Sequence, residues 1–113
     1  MSPERFESLV DAALDEIPDE LARLCDNVVV LLEDAAPPED PHLLGLYDGV
    51  ALTDRAANHS AELPDRIFIF RDNLLHMCDS EAELVDEVRI TVVHEIAHHF
   101  GIDDDQLHEL GYD

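Results

Sequence analysis

A chain of 113 residues fits one domain, spanning 1–113, with a core large enough to fold without disulfides and too small for two lobes. Its formal charge of -22 comes from 28 acids against six Arg and no Lys. That balance argues against nucleic acid, which needs clustered Lys and Arg, and against an anionic membrane; its first reading is solubility through a highly solvated surface, and its second a preference for cationic or neutral peptide or protein partners.

Ser2, Pro3 and Glu4 read as a helix start: a hydroxyl cap, a proline at the first helical position and an acid in the first turn. Phe6, Leu9, Val10, Ala13, Leu14 and Ile17 then recur at helical spacing until Pro18 interrupts them, and Asp19 to Leu24 continue for a turn or two. Val28 to Leu32 is β-branched and short, as a buried strand should be. The run from Glu33 to Pro41 holds three prolines and forms a surface loop. Leu43 to Tyr47 is expected as a second strand, with the turn signal Asp48-Gly49 and Val50 to Leu52 as its hairpin partner. Thr53 to Pro64 is polar and irregular, either a flap over a site or a long loop.

Ile67 to Phe70, framed by Arg66 and Arg71, is the strand nearest in sequence to the chemistry described next, and two roles are open to it. It is either a core strand or an edge to which an extended peptide pairs. Asp72 to Cys78 starts a short helix, and Ser80 with Glu83 has capping-box spacing for a long one running to Phe100. Leu84, Val85, Val88, Val92, Val93, Ile96, Ala97 and Phe100 cover most of its circumference, which makes it central to the domain. Asp103 and Gln106 have cap spacing for a last short helix anchored by Leu107 and Leu110 and stopped by Gly111.

The chemistry lies in T-V-V-H-E-I-A-H-H-F-G-I-D-D, Thr91 to Asp104. Four residues apart on a helix, His94 and His98 lie about 40° apart around the axis, on one face, and two imidazoles so stacked can hold one divalent metal. Glu95 lies about 100° from His94, within reach of a water on that ion, where a metal protease needs a base. Gly101 can end the helix in the left-handed conformation and turn the chain back. That return carries Asp104 towards the metal as third ligand; Asp103 and Asp105 remain rivals, although cap spacing gives Asp103 a structural task. The competing reading, that His94 and His98 are satisfied core histidines, leaves Glu95 and His99 on the same stretch unexplained.

Cys25 and Cys78 have no Cys-x-x-Cys neighbour and sit among apolar residues, which predicts buried free thiols. His99, His108, Tyr47 and Tyr112 are candidate oxyanion donors by residue type only. For His99 a place beside the ligands or on the surface is favoured, and His42, His59 and His76 are expected on the surface. No charged-then-apolar leader and no apolar run near the ~20 residues of a membrane span are present, so the expected location is the cytoplasm.

The chain resembles the small bacterial zincin-like metallopeptidases of minimal fold. The resemblance rests on L-L-G-L-Y-D-G-V-A-L-T-D-R at Leu43 to Arg55, L-P-D-R-I-F-I-F-R at Leu63 to Arg71, the Thr91 to Asp104 stretch, and L-H-E-L-G at Leu107 to Gly111. It implies an α+β fold in which a small mixed sheet packs on the central metal-binding helix, with an N-terminal helix beside it. It also implies zinc held by His94, His98 and Asp104, with Glu95 as catalytic acid and base. The larger metzincins differ in having His where this chain has Asp104 and in a Met-containing turn after the motif; thermolysin-like enzymes differ in a distant downstream Glu.

The function expected is therefore zinc-dependent peptide hydrolysis through a metal-activated water, with Glu95 as general base. The alternative is a zinc-stabilised binding or regulatory module that cleaves nothing. A metal-dependent ribonuclease, suggested by the ending G-Y-D, is disfavoured by the acidity.

Overall fold

The fold is that of a computed structural model describing residues 1–49 and 64–109, apart from the side chain of Asp104. The expected elements at Val50 to Leu52 and Thr53 to Leu63, and the ends at Leu110, Gly111 and Tyr112, lie outside the described residues, as does His59. In chain order the described elements are α1 (Pro3–Asp15), α2 (Asp19–Ala22) running into a 3-10 turn (Arg23–Cys25), β1 (Val28–Glu33), β2 (Gly45–Asp48), β3 (Asp65–Phe70), α3 (Arg71–Met77), α4 (Glu81–Phe100) and α5 (Asp104–Glu109). The expected α+β class holds.

Local chemistry sets the helix boundaries. Ser2 Oγ accepts from the Arg5 N–H at 3.1 Å to open α1. Ser80 Oγ accepts from the Glu83 N–H at 3.1 Å to open α4, while the Glu83 carboxylate reaches back to the Asp79 N–H at 2.9 Å. Gly101 ends α4 with φ 71°, and the Ile102 N–H returns to the Ala97 carbonyl at 2.8 Å. Asp103 and Gln106 cap α5 reciprocally, each side chain accepting from the other's N–H, at 2.8 and 3.0 Å.

The sheet has the order β1-β3-β2, with β1 parallel and β2 antiparallel to β3. Its inner face presents Ile67 and Ile69, both buried, to the helices. On the outer face Leu31, Phe68 and Leu46 lie in register, and the Arg66 guanidinium covers Phe68 at 5.4 Å from the ring centre. Phe6, Leu9, Val10 and Ala13 of α1 pack with Leu84, Val88, Val92, Val93 and Ile96 of α4 in the same core.

Four expectations are corrected. β3 is the central strand with neighbours on both sides, so its backbone is not free to pair with a peptide. Phe100, counted among the core residues of α4, is 41% exposed because it stands at the last helical position, beyond the sheet. Cys25 and Cys78 are free thiols as expected, but only half-buried. The second strand also begins two residues late: the Leu43 and Pro41 carbonyls accept from the Asn73 amide, both at 2.8 Å, so a side chain of α3 holds that stretch in place of the sheet ladder.

β2 lies hard against α4. A Cβ added at Gly45 would stand 2.6 Å from Thr91 Cγ2 and 3.1 Å from the Phe68 carbonyl oxygen. Gly45→Val is therefore predicted to cost about 1–3 kcal/mol of stability by overpacking. Urea unfolding monitored by circular dichroism measures it, and an unchanged midpoint would show that the strand and helix are not in contact.

Candidate metal centre and active site

The helix that builds the core also builds the site, on opposite faces. Val92, Val93, Ile96 and Ala97 are buried, whereas His94 and His98 are exposed and Glu95 is half-buried. The core-histidine reading is thereby set aside. His94 and His98 line one cavity of about 230 Å³ together with Ala97, Ile102 and Leu107. Ile102 and Leu107 come from beyond Gly101, so the left-handed turn folds the chain back over the two imidazoles as the motif's spacing demands.

That return segment carries the aspartates. Asp103 is committed to capping α5 through its Oδ1, and Asp105 is exposed. Asp104 opens α5, but its side chain lies outside the described residues. Among the described residues no three His, Cys, Asp or Glu side chains gather on one point, so two donors of the expected set are in place there, His94 and His98. Two exposed imidazoles on one face of a packed helix are donors suited to zinc.

Glu95 faces β2. The Phe70 N–H bonds the Leu44 carbonyl at 3.0 Å between directly opposed residues, and in an antiparallel ladder bonded pairs recur every second residue. Leu44, Leu46 and Asp48 thus turn their backbone groups to β3, while Gly45 and Tyr47 turn theirs away from it. Burial pushes the Glu95 carboxyl above its ordinary pKa; opposing this, in falling order, are a hydrogen bond from the Tyr47 backbone and the positive character of His98 and His94.

Sequence reasoning missed how Tyr47 is used. Its hydroxyl donates to Asp65 Oδ2 at 2.7 Å, so its one proton is committed and it is not an oxyanion donor. Its ring stacks on His99, with centroids 3.9 Å apart and planes 14° from parallel. His99 is exposed, one of the two places favoured for it from sequence, with one ring face against Tyr47. His42, His76 and His108 are exposed, and none of them lines the cavity of His94 and His98. Asp65, which sequence reading passed over, lies at the start of β3 with a side chain 13% exposed.

Fold and site together define a small α+β protein with an H-E-x-x-H helix packed beside a strand that pairs antiparallel to the centre of a three-stranded sheet. The chain belongs to the zincin-like metallopeptidase family, whose family model matches residues 25–112. It is similar in fold to a conserved hypothetical protein from Thermo thermophilus, with TM-score 0.60 and 23% identity over 88% of this chain and 94% of that one. No curated protein matches the chain. Among the described residues no helix is long and apolar enough to cross a membrane.

The raised pKa of Glu95 has a thermodynamic consequence. Folding favours its protonated form, so this group's contribution is fully present below the ordinary Glu range and is lost as pH rises through the raised value. In metal-stripped protein, Glu95→Gln is expected to melt at the wild-type temperature or above it, with the gap widening from about pH 4 to about pH 8. Calorimetric scans across that range check it, and a gap that is constant or narrows with pH would contradict it.

Proposed function

We propose that this chain is a zinc-dependent peptidase, in which His94, His98 and Asp104 hold the ion and Glu95 is the general base. The observation that carries the reading is the pair of exposed imidazoles at one cavity, on the polar face of a buried helix, with a half-buried glutamate one position along. Bound there, zinc would lower the pKa of a bound water to about 7 and polarise a substrate carbonyl.

The chain's own groups perform the rest. Glu95 takes the proton from the attacking water and returns it to the leaving amine, and a carboxyl raised by burial is better matched to that exchange near neutral pH than an ordinary one. The peptide-pairing role suggested for β3 is not carried forward, because β3 has a neighbour on each side. The charge of -22 favours cationic or neutral peptides. Cytoplasmic location and the choice of Asp104 over Asp105 belong to this proposal.

One zinc per chain is expected by elemental analysis, lost in His94→Ala, His98→Ala and Asp104→Ala and kept in Asp105→Ala. Glu95→Gln keeps the zinc and lowers peptide cleavage by about 10²–10⁴-fold. Zinc bound at full occupancy in a wild type that cleaves no member of a broad peptide library would favour the zinc-stabilised module instead.

A further inference from the structure

We propose that Tyr47, Asp65 and His99 act as one positioning unit that holds β2, and with it the Tyr47 backbone, in place beside Glu95. It rests on the peptidase reading, because the placement of Glu95 matters to turnover only if Glu95 is the base.

Tyr47 is held from several directions. Its neighbours Leu46 and Asp48 pair with Phe68 and Arg66 of β3, and an Arg66–Asp48 ion pair closes that end of the strand. Its hydroxyl is tied to the largely buried Asp65 carboxylate, at the first residue of β3. Its ring lies flat on His99, and Phe100 meets both rings edge-on, at 6.1 Å from Tyr47 and 4.9 Å from His99. Two positions along, a Cβ on Gly49 would approach His99 Cε1 to 3.0 Å, so the strand end leaves room for the imidazole by having no side chain there.

The consequence for the site follows from helix geometry. Glu95 and His99 are four residues apart, on one face of α4 and one turn from each other. Tyr47 therefore spans that face, its ring against His99 and its backbone on Glu95. Rotating or lifting the ring shifts the backbone groups that stand over the general base. His99 Nε2 is 3.9 Å from Asp65 Oδ2, too long for a direct hydrogen bond, so the imidazole serves by its flat face. An aromatic ring of any kind at 99 should do the same work.

The test uses the zinc-loaded full chain with fluorescein-labelled casein as substrate, together with hydrogen exchange at the Leu46 and Tyr47 amides. Tyr47→Phe, Asp65→Ala and His99→Ala should each lower kcat about tenfold with zinc content unchanged and KM within about twofold, because alignment and not binding is lost. The Tyr47→Phe/Asp65→Ala double variant should lose less than the product of the two single losses, since the two residues share one hydrogen bond. His99→Phe should stay within about twofold of wild type, because the stack is kept. Amide exchange should quicken in the three impaired variants and not in His99→Phe.

Tyr47→Phe at the wild-type rate, additive losses in the double variant, or unchanged exchange would overturn the proposal. So would His99→Phe as slow as His99→Ala, which would give the imidazole a chemical role. A wild type that cleaves nothing defeats the peptidase reading separately, and the exchange pattern then decides by itself whether the three residues hold the strand.

Discussion

One helix has to serve as the centre of the core and the bed of the site, and that double duty constrains the rest of the molecule. α4 is surrounded by α1, the sheet and α3, and its buried residues leave only a strip in which a polar side chain can stand. His94, Glu95 and His98 occupy that strip. Since a packed helix moves little, the donors it carries are held in a fixed relation, which metal geometry requires. The same packing explains why Gly45 must be small: the strand that flanks the strip has to touch the helix at Thr91.

The ends of the elements close the site from two sides. Gly101 breaks α4 one residue past Phe100 and sends Ile102 and Leu107 back over the imidazoles, so the apolar anchor of α5 doubles as a cavity wall. On the other side Tyr47 is fastened to Asp65 and His99. Ion pairs such as Arg5 with Glu81, an exposed two-point fork at 2.7 Å, hold α1 to the start of α4 but contribute little energy at the surface. With so few cations in an acidic chain, arginines serve mainly as local ties: Arg66, Arg71 and Arg89 also face acids.

What the sequence made legible was mostly local. Ser2, Ser80, Gly101 and Asp103 mark helix ends through bonds spanning three to five residues, and each acts as its type suggests. The H-E-x-x-H spacing likewise fixes a face without knowledge of the fold. Strand order was not legible, because nothing in I-F-I-F says which strands flank it, and its Arg neighbours look the same on an edge or on an exposed face. The Tyr47–Asp65–His99 cluster was hidden for a related reason: its members sit on three elements, and only pairing β2 with β3 brings Tyr47 to Asp65. Helical periodicity also placed Phe100 inside, since a period cannot tell where the neighbouring sheet stops.

The central claim is that two imidazoles at the end of α4 and the aspartate that opens α5 share one ion. X-ray absorption fine structure on protein loaded with one equivalent of zinc tests it most directly. The account predicts two imidazole nitrogens with oxygen completing the shell, all at about 2.0–2.1 Å, and one imidazole fewer in His98→Ala. A sulfur shell at about 2.3 Å, or an oxygen-only shell without imidazole, would contradict it.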